Sequence, residues 1–146
     1  MIKRDTTAAA TRAGFTLMEM LVVVAILVVL AGAAVPIYLN YLEDSKLKRA
    51  RIDIETISKE LSNYKAVVGH YPNNIQDLIQ PWQLGDGSTR PPTLRPQNLM
   101  DPWDRPYQSS TPNPGPNNAM YQIPDVWSEG PSGDGSGRIG NWGKVH

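Results

Sequence analysis

Side-chain catalysis draws on histidine, cysteine or paired carboxylates whose surroundings can tune them, and this 146-residue chain supplies few. It has no cysteine and two histidines. The missing cysteines remove disulfide scaffolds, cysteine-based zinc sites and thiol nucleophiles together. His70, between Gly69 and Tyr71-Pro72, reads as a solvated side chain at a helix end; His146 reads as a frayed terminal residue. Asp101 and Asp104 flank Trp103 among prolines, where aspartates usually bond the local backbone of turns. Gly133-Asp134-Gly135-Ser136-Gly137 lacks the Lys-Ser/Thr ending of a phosphate loop, and no Gly-x-Ser-x-Gly elbow occurs. These residues point away from an enzyme. Two readings of segment 128–140 stay open: a loop holding a hard cation such as calcium through Asp134 and backbone oxygens, with Asp125 and Glu129 nearby, and a plain flexible turn.

Glu19 is the most informative single residue. It lies one turn into a strongly apolar run, five positions after Gly14, where an uncompensated charge is costly in a membrane helix. Two compensations suggest themselves. The carboxylate stays near the headgroups, or a positive charge meets it when helices assemble. Cleavage after Gly14 would create such a charge, the new α-amino group of Phe15.

The elements that position these residues divide the chain by composition. Residues 1–14 are polar to small and carry Lys3, Arg4 and Arg12, the character of a leader. Residues 20–35 contain no charge, and the wider segment 15–42 exceeds the ~20 residues that span a bilayer. With the basic residues on its N-terminal side, the rest of the chain is expected across the membrane from the cytoplasm. A removable secretory signal fits less well, because the run outlasts a usual signal core and continues without a turn into a second helical pattern. In that pattern Leu47, Ala50, Ile54, Ile57, Leu61, Tyr64 and Val68 recur at spacings of three and four, one face of an amphipathic helix. Gly69 ends it and Pro72 follows. A single helix over residues 16–68 would be ~80 Å long at the rise of an α-helix, so it must protrude from any domain this small. Pro36 removes a bond to the Gly32 carbonyl and predicts a kink or loosened turn.

Beyond Gly69 lie 12 of the 13 prolines and all four tryptophans. Asn74 caps a short predicted helix over 75–80, and 85–96 reads as loop. Strand candidates are 106–110, 119–123, 126–128 and 139–142. The fold class is therefore α+β: a long N-terminal helix whose distal half packs on a small antiparallel sheet. Charge adds one exclusion. Fourteen basic side chains balance fourteen acidic ones, which gives no support for a nucleic-acid partner.

Gly14-Phe15-Thr16-Leu17-Met18-Glu19, after a basic leader and before an apolar run, resembles the processing motif of type IV prepilins and type II secretion pseudopilins. Gly69-His70-Tyr71-Pro72, Asp101-Pro102-Trp103-Asp104-Arg105-Pro106-Tyr107 and Ile139-Gly140-Asn141-Trp142 are similar to the major pseudopilin of type II secretion systems. The lack of cysteine agrees with that subgroup. The resemblance implies a pilin-like fold with a leader, 1–14, removed by prepilin peptidase between Gly14 and Phe15, and N-methylation of Phe15. It implies a membrane and filament-core helix, 15–42, in which Glu19 pairs with a neighbour's terminal amine and Pro36 marks the family's helix-kink position. It implies a periplasmic globular domain, 43–146, that includes the amphipathic half of the helix.

The expected function is a structural subunit of a periplasmic pseudopilus that helps export folded proteins across the outer membrane. The implied partners are further copies of the chain, minor pseudopilins and an inner-membrane assembly platform. The rival readings are a type IV pilus or competence pilin and a membrane-tethered periplasmic binding module. The subgroup usually has Gly-Asn where this chain has Asp104-Arg105, and its calcium loop carries aspartates near Ser132 and Arg138. Neither aspartate is present, which leaves Asp134 as the nearby carboxylate for any Ca2+. Removal of the leader takes three basic side chains and Asp5, so the mature chain has 11 basic and 13 acidic ones.

Overall fold

The computed structural model describes residues 14–142; the readings for residues 1–13 and His146 lie outside it. The chain divides into two units between Tyr41 and Leu42. One helix, α1, Leu17–Val68, supplies the regular structure of the first unit among the described residues and opens the second. The helix assignment continues through Pro36. Within the first unit every residue of α1 is exposed, including a continuous series of Leu, Val and Ile side chains.

In the second unit the amphipathic pattern becomes burial. Ala50, Ile54, Ile57 and Leu61 are buried and lie on one face of α1, as spacings of four, three and four require. Leu47, Tyr64 and Val68 from the same stripe are half-buried. Around this face gather Tyr71, Ile75, Leu78, Trp82, Tyr107 and Val126, the main body of the core. Trp82 meets Tyr64 edge to face, with ring centroids 5.1 Å apart, an arrangement the ring quadrupoles favour. Most charged residues of α1 face water, with Asp53 half-buried; Lys59 and Glu55 form an i, i+4 pair at 2.8 Å. Gly69 stops the helix with φ +98°, a conformation that costs a residue with a Cβ but not glycine.

A 3₁₀ turn, Ile75–Ile79, follows, capped by Asn74. The Asn74 side chain accepts from Gln76 N–H at 3.3 Å, and Asp77 Oδ2 accepts from Asn74 N–H at 3.0 Å. The expected helix is thus present as a tighter single turn, ended before Pro81. A two-residue ladder then pairs β1, Trp82–Gln83, with β2, Thr89–Arg90. β2 lies inside the segment read as loop. The turn that makes it contains Asp86-Gly87, with Asp86 Oδ1 accepting from Ser88 N–H at 2.9 Å and Gly87 at φ +82°, a hairpin signal present in the sequence.

The second sheet is three-stranded and antiparallel, in the order β3, β4, β5. It consists of Gln108–Ser109, Val126–Ser128 and Ile139–Gly140, all within segments read as strands. Val126 and Ser128 point inward and are fully buried, while Trp127 points outward, the period-two alternation of a sheet with one covered face. The fourth strand candidate, 119–123, is different. It falls in a 3₁₀ segment, Pro116–Tyr121, closed by Gln122 in the left-handed region. Pro116 starts that segment, and Asn117 and Asn118 turn their amides to Asp125, so the proline and these bonds override the apolar residues that suggested a strand.

Candidate functional site

At the start of α1, Gly14, Phe15 and Thr16 are irregular and the helix begins at Leu17. Thr16 is its cap. The Thr16 carbonyl accepts the first helical bond from Met20 N–H at 3.3 Å, and its hydroxyl accepts from Glu19 N–H at 3.2 Å. Glu19 reaches back in turn: its Oε2 accepts from Thr16 N–H at 2.8 Å and from the Thr16 hydroxyl at 3.0 Å. Thr-x-x-Glu is a reciprocal capping box, and it places a carboxylate where the helix dipole and the orphan N–H groups favour negative charge. The Thr16 to Glu19 spacing ahead of an apolar run is the signal. Phe15 is the residue next to the cap and is 81% exposed, so a new amino group there would lie within a turn of Glu19. Pro36 sits within α1 on the exposed apolar stretch.

The C-terminal motifs come together differently. Asp101 is buried, and its Oδ1 accepts from the N–H groups of Trp103 and Arg105 at 2.9 and 2.8 Å, as a turn-forming aspartate should. Asp104 takes the left-handed conformation at φ 60°, a region in which aspartate is one of the few tolerated side chains. His70 is exposed, its Nδ1 2.8 Å from the Tyr71 carbonyl oxygen. Asn141, quoted only as part of a motif, proves central. Its Oδ1 accepts from Asn118 Nδ2 and Val126 N–H at 2.8 and 3.2 Å, and its Nδ2 donates to Ser58 Oγ of α1 at 3.2 Å. It joins the end of the chain to the helix.

The donor set around Asp134 does not fit calcium. Asp134 is exposed, and its Oδ1 accepts from the N–H and hydroxyl of Ser136 at 2.9 and 2.6 Å. That local turn holds the carboxyl below its usual range, chiefly through the Ser136 hydroxyl and then its N–H. Glu129 is taken by Arg138, with contacts of 3.0–3.2 Å, and Asp125 by Asn117 and Asn118. Among the described residues no three acidic or histidine side chains gather as a metal-ligand group, whereas calcium takes six to eight oxygens, several of them carboxylate. The calcium expectation at Asp134 therefore meets a loop whose carboxylates are already engaged.

A long N-terminal helix with a capping carboxylate and an uninterrupted exposed apolar surface, joined to a small antiparallel α+β domain, defines a subunit of the pilin-like class. Residues 37–142 match the family model for type II secretion system (T2SS), protein G, and residues 10–35 match the prokaryotic N-terminal methylation motif. The chain is 32% identical over 136 residues to the type II secretion system core protein G of Pseudomonas aeruginosa, covering 90% of this chain and 95% of that one. It is 36% identical over 139 residues to the core protein G of Dickeya chrysanthemi, covering 88% and 85%. The crystal structure of the major pseudopilin from the type 2 secretion system of enterohaemorrhagic Escherichia coli matches its fold with a TM-score of 0.53 at 22% identity, over 71% of this chain and 92% of that one. The chain belongs to the type II secretion system protein G family.

Proposed function

We propose that the chain is cleaved between Gly14 and Phe15 and methylated at Phe15 by prepilin peptidase, and that it polymerises through α1 into a periplasmic pseudopilus that helps move folded proteins across the outer membrane. The observation that carries this reading is the surface of α1. From Leu17 to Leu42 the side chains are exposed and Glu19 is the sole charge among them. By length and composition α1 can cross a membrane, and the same surface can pack against other helices once the subunit leaves the bilayer. The hydrophobic effect favours either burial over exposure to water.

Glu19 sets the register in this scheme. In the single subunit its carboxylate serves the amide and hydroxyl of Thr16. In the filament it meets the terminal amine of a neighbouring Phe15, a charge pair that forms in one axial alignment only. A buried polar contact used as a register device is the best-attested role for such groups. The subunit is anchored in the inner membrane with its N-terminal end cytoplasmic, and its partners are further copies, minor pseudopilins and an assembly platform. Pro36 leaves an unmade helical bond on the packing surface, where the helix can loosen during assembly.

Mass spectrometry of the mature protein tests the processing, with N-methylated Phe15 the expected terminus and any other start refuting it. Glu19→Ala should leave membrane insertion and cleavage intact while lowering filament yield. An undiminished yield of assembled filament would remove the pairing role.

A further inference from the structure

One side chain links the turn after Asp101 to the glycine-rich segment after β4. The Arg105 guanidinium donates through one terminal nitrogen to the carbonyl oxygens of Gly130 and, at 3.2 Å, Pro131. Its Nε lies 3.9 Å from Asp101 Oδ2, which also accepts from the Ser128 hydroxyl at 2.6 Å. The loop is shaped around this group. A Cβ at Gly133 would overlap the guanidinium, and Gly133 sits at φ +74°. A second basic residue, Arg138, spans Glu129 and lies 5.4 Å over the Trp127 ring. Arg138 thus matches the charge of Glu129, while Arg105 stands between Asp101 and the loop carbonyls.

We propose that the Arg105 guanidinium is the resident cation of loop 129–138, so that the loop closes and the domain reaches full stability without a divalent ion. A guanidinium carries a permanent charge and five donors in a fixed plane, which suits it to bind converging carbonyl oxygens. It occupies the carbonyl oxygens that a hard cation would need, and its charge opposes a second cation there. Because it is part of the chain, its occupancy does not follow the calcium concentration, whereas a bound ion stabilises by mass action. Arg105 and Arg138 thus reach the loop from its two sides, one through the Gly130 carbonyl and the other through the Glu129 carboxylate.

The test is thermal unfolding of the full-length chain in detergent, followed by tryptophan emission, in excess EGTA and in millimolar calcium chloride. The wild-type midpoints are expected to coincide. Arg105→Gln should lower the midpoint by about 5–15 °C in both media, the size expected for lost charge-assisted bonds in a domain this small, and should speed proteolysis within 129–138. Arg105→Lys, which keeps the charge but not the fork, should fall between the two. A wild-type midpoint that rises with calcium overturns the proposal, as does an Arg105→Gln midpoint equal to wild type. Should the glutamine variant fail to accumulate, the wild-type calcium comparison and the lysine variant still decide it. None of these readouts depends on filament assembly.

Discussion

Asp125 offers the sharpest test of how the C-terminal domain is held together. Its side chain is 2% exposed and sits just before β4. Oδ1 accepts from Asn118 Nδ2 at 2.7 Å, and Oδ2 accepts from Asn117 Nδ2 at 2.7 Å and Asn117 N–H at 3.2 Å. The two asparagines differ. Asn117 is exposed and can turn to water, whereas Asn118 is buried and its amide nitrogen also donates to Asn141. Asp125→Ala removes three charge-assisted bonds and strands one buried Asn118 hydrogen, a loss of about 3–5 kcal/mol. Asp125→Asn can keep its carbonyl oxygen towards Asn118 and aim its amide at Asn117, which rotates to accept; it should cost about 1.5–3 kcal/mol. Urea unfolding of the full-length chain in detergent, followed by tryptophan emission, measures both, and an unchanged slope confirms that stability alone has moved. An asparagine variant as damaged as the alanine one would refute the division of labour. Two variants within about 0.5 kcal/mol of wild type, the range of ordinary surface substitutions, would refute the network.

Two further outcomes follow from the same packing. Ile57→Ala, on the buried face of α1, should cost about 2–5 kcal/mol in the same assay, whereas Ile52→Ala, exposed on that helix, should cost little. Burial first, then the charge of Asp53 and the 3.1 Å bond to it, raises the Tyr107 phenol far above its ordinary range. The folded state therefore keeps a proton that the unfolded state releases near pH 10, and stability falls as pH rises past that point by about 1.4 kcal/mol per unit for this group. Tyr107→Phe should remove close to one proton from that slope, measured by urea unfolding between about pH 9 and 11.5. A slope unchanged by the substitution would place the alkaline loss elsewhere, for instance at Tyr64 or Tyr71, which burial also shifts upward.

The features legible in the sequence are those carried by short-range periodicity. An apolar run with one carboxylate predicts an exposed helical surface, and the Ala50, Ile54, Ile57, Leu61 stripe predicts which face of α1 is buried, because both depend only on 3.6 residues per turn. Where several local preferences compete, spacing misleads. The apolar residues of 119–123 suggested a strand, yet Pro116 and the asparagines beside it turned the segment into a 3₁₀ helix. The Asp86-Gly87 turn went unread within a polar stretch, and with it β2.

By itself the sequence determined the processing motif, the membrane-length helix, the amphipathic stripe and three of the five strands among the described residues, since each is written in neighbouring residues. Tertiary structure alone decided the contacts that give the C-terminal motifs their purpose. Asn141 meets Ser58 across 83 positions of sequence, and Arg105 reaches Gly130 across 25. No periodicity encodes such distances, because they arise only after the core of α1 and the sheet has brought the loops together. The physical reason is geometric: a carboxylate or guanidinium acquires its role from the donors and carbonyls that converge on it, and convergence is a property of the folded chain.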